Sequence, residues 1–258
     1  MPPANRMFRA AAGLVLPSSC AVCRRPGPPL CPVCADPLHG PARPHLPRPC
    51  PPGLPPLWAT ASYQGPARAA LIAYKERGRR DLTAALARGL AHAVRAASTG
   101  TGPAGAGAGA GGGAGDRLVV LVPVPSGRGA ARRRGGDHVR RLARAAAVQL
   151  DRPVLVCPLL RPARRLADLA SVPAAQRAAA RSGAFVAHAQ CSAFCAERAD
   201  EIVVIMVDDL VTSGYTLVEA ATAVRRAGLV AHGAAVLLAT QRRFGGDVGG
   251  LCSAPILG

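Results

Sequence analysis

The chain has 258 residues, of which half are apolar and only 3% aromatic, with nine cysteines and a formal net charge of +18. So few aromatics argue against the stacking platforms of single-strand nucleic-acid binders, and no stretch approaches the roughly 20 apolar residues of a membrane span. Nine cysteines behind no convincing export signal point to metal binding in a reducing compartment, not to a disulfide framework.

The basic excess attracts polyanions, either pyrophosphate or nucleic acid. It is uneven, because residues 201–258 carry four arginines against five acids. A composition heavy in Arg, Ala, Gly and Pro, as a GC-rich genome encodes, would also raise arginine without any partner. The start holds a short apolar run, Ala10 to Leu16, at the lower limit for an export signal. Pro17 stands where a lipoprotein signal before Cys20 needs an aliphatic residue. A cytoplasmic protein is expected.

Cys20-x2-Cys23-x7-Cys31-x2-Cys34 comes first: two CxxC knuckles whose four thiolates can close a tetrahedral zinc site. Cys50 has no place in a four-ligand set and reads as a bystander or as the remnant of a second knuckle. Residues 41–57 contain eight prolines, cannot form regular structure, and read as a stiff linker. An N-terminal zinc module with its linker, residues 1–57, and a larger domain over 58–258 are therefore expected.

Trp58 to Tyr63 is strand-like, and Pro66 to Tyr74 follows as an apolar-faced helix. It runs into Lys75, the only lysine of the chain. A lone lysine among so many arginines suits a place that needs a compact point charge, although chance survival explains it equally well. Asp81 to Ala97 makes a second amphipathic helix. Gly100 to Gly115 has no face to bury and reads as a disordered insertion.

Leu118 to Val124 is the next apolar strand. The segment after it carries Arg128, Arg132, Arg133 and Arg134 between glycines, a cationic loop able to close over pyrophosphate. A solvated charge run is the plain alternative. His138 and His92 sit in helical patterns without a partner at ligand spacing and receive no role. Pro153 to Leu159 is a third strand, followed by an excursion of about thirty residues suited to a hood over an acceptor. Cys191 and Cys195 in it read as core or helix-face thiols.

Ile202 to Thr216, IVVIMVDDLVTSGYT, is the most informative stretch. Six apolar residues read as a buried parallel strand ending at Asp208 and Asp209. Thr212, Ser213, Gly214, Tyr215 and Thr216 form a loop before a helix over Thr216 to Ala227, with Gly228 at its C-cap. A helix N-terminus with hydroxyls and a glycine suits a phosphate, and the acids suit ribose hydroxyls or a magnesium ion held through water. The bland alternative is a turn in which Asp209 or Thr212 merely caps the helix. Val230 to Leu238 gives the last strand, and the tail from Gly245 looks loose.

The stretch resembles the phosphoribosyl pyrophosphate (PRPP) signature of type I phosphoribosyltransferases: apolar run, two acids, then T-[TS]-G-x-T. Together with the four-cysteine module, the segment Tyr63 to Gly78 containing Y-K-E-R-G, the VPVP strand end and RRRGGDHV, it is similar to the ComF family of competence-associated phosphoribosyltransferase-like proteins. The resemblance implies a type I phosphoribosyltransferase fold, a parallel sheet flanked by helices with a hood, behind a zinc module. It implies PRPP with magnesium, Asp208 and Asp209 at the ribose, residues 212–216 on the 5-phosphate, and structural zinc on Cys20, Cys23, Cys31 and Cys34. The arginine cluster, with Lys75, takes the pyrophosphate side. Phosphoribosyl transfer to an unknown acceptor, linked to DNA uptake, is the implied function. The alternative is a non-catalytic module binding ribose phosphate or single-stranded DNA beside DNA-uptake proteins. Ala167 to Ala170 and Arg177 to Ala179 depart from the family's D-Q-x-x-L and R-x-N patterns, so the acceptor is not carried over.

Overall fold

The computed structural model describes residues 19–100, 117–125, 137–163 and 183–240. The Gly/Ala insertion, the four arginines at 128 and 132–134, the two departing segments at 167–179 and Cys252 lie outside them. Among the described residues no helix is long and apolar enough to cross a membrane.

An α/β architecture results. Among the described residues, eight strands, β1 (Arg43–Pro44), β2 (Leu57–Ser62), β3 (Leu118–Pro123), β4 (Val154–Val156), β5 (Leu160–Pro162), β6 (Phe185–Ala187), β7 (Ile202–Val211) and β8 (Gly233–Ala239), are interspersed with six α-helices. These are α1 (Pro32–Ala35), α2 (Gly65–Glu76), α3 (Thr83–Thr99), α4 (His138–Ala147), α5 (Ala189–Ala196) and α6 (Tyr215–Arg226). Six strands form one sheet in the order β1-β2-β8-β7-β3-β4, parallel throughout except for β1 at the edge. Strands β5 and β6 pair antiparallel as a separate ribbon within the excursion.

Valines and isoleucines, stiff at χ1 and suited to a pleated surface buried on both sides, make β3 and β7 interior strands of the sheet. Their side chains alternate. Val203, Ile205 and Val207 enter one core with Leu71, Leu86, Leu90 and Leu142, under α2, α3 and α4. Ile202, Val204 and Met206 enter the other with Leu159, Leu217 and Val224, under α6.

Two expectations need correction. The third strand is shorter than Pro153 to Leu159, because after Val156 the chain leaves the main sheet and Leu160 begins the ribbon. The proline-rich stretch is also more than a spacer, since Arg43 and Pro44 pair with Ala59 and Trp58 at the sheet edge. Proline is tolerated there because an edge strand leaves an N–H position unpaired.

The cysteine module shares the larger core: Leu30, Cys34, Ala35 and Leu38 are buried with Trp58, Leu71 and Leu86. It packs tightly at Gly89 in α3. A Cβ there would lie 2.7 Å from the Leu38 carbonyl oxygen and 2.8 Å from Leu237 Cδ1. Thr60 donates its hydroxyl hydrogen to the Gly89 carbonyl at 2.7 Å, fixing the helix against β2. Gly89→Ala should gain about 1 kcal/mol of helix propensity and still lose roughly 1–3 kcal/mol net from overpacking. A lowered denaturant midpoint at unchanged slope is the expected result, and a raised midpoint would show that Leu38 can retreat.

Candidate functional site

Strands β3 and β7 are neighbours whose following helices lead in opposite directions, β3 through α4 to β4 and β7 through α6 to β8. The crevice outside their carboxyl ends is a topological switch point, where open α/β sheets bind ligands. Asp208, Asp209 and the loop after Val211 lie there, at the end of β7. The segment 126–136, which carries the arginines, follows β3 in sequence. Val124 N–H donates to Val207 O at 2.8 Å on its near side, and His138 reaches Asp209 on its far side.

Both acids are inside the strand, since β7 continues to Val211. Successive side chains of a strand point to opposite faces, so the two carboxyls part company. Asp209 follows Val207 into the core under α2 and α4. It is 3% exposed. Its Oδ1 accepts from Lys75 Nζ at 3.0 Å, and its Oδ2 is hydrogen-bonded to His138 Nε2. Lys75 occupies the last turn of α2 and His138 the first position of α4. Tyr74 holds this end of α4 by donating its hydroxyl to the His138 carbonyl at 3.3 Å. Burial alone would raise the pKa of Asp209, but the hydrogen bond with His138 and the charge of Lys75 outweigh it, leaving the carboxyl below the usual range.

Asp208 turns the other way, toward the face that carries α6, and is half-buried. Its Oδ1 accepts the Asp209 N–H at 2.8 Å. Burial first, and the Asp209 charge second, push its pKa well above the carboxylate range, with the Asp209 N–H and Lys75 pulling back in part. One acid is thus stabilised as the anion, while its neighbour resists ionisation.

Past Val211, Thr212 is exposed, Ser213 half-buried, and Tyr215 and Thr216 exposed. Thr240 N–H donates to the Val211 carbonyl at 3.0 Å and holds the start of the loop to β8. Gly214 is the N-cap of α6 at φ 80°, a left-handed backbone that glycine adopts without penalty. No side chain caps this helix, in contrast to α4, where Asp137 accepts from Val139 N and Arg140 N. The turn capped by Asp209 or Thr212 is therefore excluded. A wall that the sequence did not announce closes the inner side of the loop. A Cβ on Gly214 would meet Leu54 Cδ1 at 3.2 Å, Pro47 Cγ at 3.3 Å and Pro51 Cγ at 3.3 Å.

At the N-terminal end, the sulfurs of Cys20, Cys23, Cys31 and Cys34 all lie within 4.8 Å of one another. Cys23 and Cys31 are 3.6 Å apart. A tetrahedron with Zn–S of about 2.3 Å needs sulfur spacings of about 3.8 Å, so the group can hold a metal such as zinc. Burial raises Cys20, but the N–H groups of Cys31, Cys23 and Val22 bring it down to about 6. Cys34 is pushed up to about 12 by burial and by its sister thiols. Cys50 stays outside the cluster, with its thiol toward the Pro51 carbonyl at 3.8 Å. Cys195 is a buried core thiol and Cys191 packs beside it, as expected.

His138 is the residue that spacing could not find. It lies 71 positions from Asp209. The nearest signal is Asp137, a helix-capping acid that places the following residue at the mouth of the sheet. Comparison with known proteins gives no match, neither to a protein-family model nor to a curated protein.

Proposed function

We propose that the crevice at the ends of β3 and β7 binds PRPP with magnesium, and that the chain has a type I phosphoribosyltransferase fold like that of the ComF family. The observation that carries this is the uncapped N-terminus of α6. That N-terminus opens at Gly214, in a left-handed turn suited to glycine, with the hydroxyl residues Thr212, Ser213 and Thr216 around it and Asp208 earlier on the same strand end. The 5-phosphate sits in that loop, and the ribose hydroxyls reach the carboxyl of Asp208.

The arginines of the segment after β3 neutralise the pyrophosphate, which would enter with its magnesium on oxygen ligands. The bond from the anomeric carbon to the pyrophosphate oxygen breaks, and the oxygen keeps the electron pair. A nitrogen of the acceptor forms the new bond and then gives up its proton. Positioning and charge supply most of the rate, since neutralising a leaving group needs fixed cations and no dedicated base. The hydroxyl-lined loop, which has no aromatic except the exposed Tyr215, favours this over a strand-binding module.

Calorimetric titration with magnesium and PRPP tests the reading. Gly214→Val should abolish binding, because a β-branched residue is strained at φ 80° and its side chain enters the wall of Pro47, Pro51 and Leu54. An unaltered affinity in that variant would overturn the placement of the phosphate. Release of pyrophosphate on adding candidate bases separates an enzyme from a ribose-phosphate sensor.

A further inference from the structure

We propose that the two acids have different jobs: Asp209, held by Lys75 and His138, is an internal anchor that touches no ligand and fixes the carboxyl of Asp208, which alone addresses the sugar. This rests on the ribose-phosphate reading of the same crevice. Three elements converge on Asp209. Lys75 comes from the end of α2 and His138 from the start of α4, and each takes one oxygen of a side chain that is 4% exposed. A ribose hydroxyl has no route to an acid enclosed in this way. Asp208 carries one hydrogen bond among the described residues, from the backbone N–H of its neighbour to Oδ1, and is half-buried where Asp209 is enclosed.

The connection between the two is short. The Asp209 N–H that grips Asp208 Oδ1 belongs to the residue whose side chain is pinned at both oxygens, so the backbone at 208–209 cannot rotate without breaking the ion pair. His138 also opens α4 immediately after the segment 126–136. Its bond to Asp209 therefore ties the start of α4 to the same strand. Lys75 and His138 are positioning residues on this account. Lysine suits the post, because its compact ammonium fits against a single oxygen where a guanidinium fork would not.

The test uses the full chain and magnesium-PRPP as the probe. Lys75→Met and His138→Ala should each weaken binding by roughly 10- to 100-fold, as loss of an outer partner does at other sites. His138→Gln, which keeps a donor near the place of Nε2, should restore most of the affinity. Asp208→Asn should abolish binding. If Asp209 instead served the sugar, removing Lys75 or His138 would release it, and unchanged or tighter binding in those variants would overturn the proposal. Failure of His138→Gln to recover affinity while its melting temperature recovers would also overturn it.

A second readout needs no ligand. Carboxyl carbon NMR of the free protein should show Asp208 titrating above the ordinary range in the wild type and moving down in Asp209→Asn. The charges that reach Asp208 are those of Asp209 on its own strand, Lys75 from α2 and Asp137 at the cap of α4, and only Asp209 is changed. An Asp208 that titrates normally, or that ignores the substitution, refutes the anchor. Absence of PRPP binding by the wild type would instead overturn the ribose-phosphate reading, and the anchor would then be decided by this titration.

Discussion

Replacing Asp209 by alanine should destabilise the protein by roughly 3–5 kcal/mol at neutral pH, the usual effect of removing one partner from a buried ion pair. Lys75 and His138 would keep their positions in the wall of the core and lose the acceptor that compensates their desolvation. The loss should depend on pH. Because the folded pKa of Asp209 is depressed, its contribution is present above the unfolded carboxylate value of about 3.9 and disappears as pH falls through the folded value. Wild type and variant should therefore melt further apart at neutral pH than at pH 3.

The neighbouring substitution has the opposite sign. Asp208 has a raised folded pKa, so its ionised form opposes folding at neutral pH, and its contribution becomes favourable only as pH falls through that value toward the unfolded one. Asp208→Asn should raise the melting temperature at neutral pH, with the gain shrinking in acid. Thermal unfolding of both variants from about pH 3 to pH 8 checks the pair. Equal destabilisation by the two substitutions would mean that the carboxyls share one environment. A stabilised variant that binds no PRPP would be an instance of strain kept for binding.

Metal removal should have the largest effect. Structural zinc in small four-ligand sites supplies on the order of 10–16 kcal/mol of apparent binding energy, and that energy is folding energy. Cys34 and Leu38 are buried with Leu71 and Leu86, so loss of the metal should spread beyond residues 20–34. We expect one equivalent of zinc in freshly purified protein, and a fall in melting temperature of more than about 10 °C for Cys34→Ser or after chelation. Metal analysis that finds none, or a melting curve indifferent to chelator, would sink the zinc assignment. Acid should mimic the chelator, since the thiolates must lose protons to bind and Cys34 holds its own to about 12 when no cation is near.

Much of this was legible from residue types. The apolar β-branched runs announced β3 and β7, the cysteine spacing announced the four-sulfur cluster, and T-S-G before a helical pattern announced the loop at α6. Two things were hidden, for different reasons. The residue pattern ends the strand at the two acids, whereas the ladder runs on to Val211, and period 2 within a strand forces adjacent acids apart. A pair that looks like one site on paper is therefore two. The Lys75–Asp209–His138 junction was hidden because it is assembled from three distant segments, and no local period encodes a meeting between the end of one helix and the start of another. The proline-rich segment failed differently: composition ruled out regular structure, which is nearly correct, and says nothing of what irregular chain can pack against.

That packing restricts how such a chain could have been assembled by recombination. Leu38 is accommodated by a bare α-carbon in α3, and Pro47, Pro51 and Leu54 by another at the start of α6. A segment like residues 19–56, grafted onto an unrelated α/β body, would collide at both places unless the recipient already had glycine there. Deleting it would leave Trp58, Leu71 and Leu86 facing water and the α6 loop without its inner wall. The cysteine segment and the body thus fit each other at two glycines, and a side chain added at either one must be matched by a smaller neighbour across the contact.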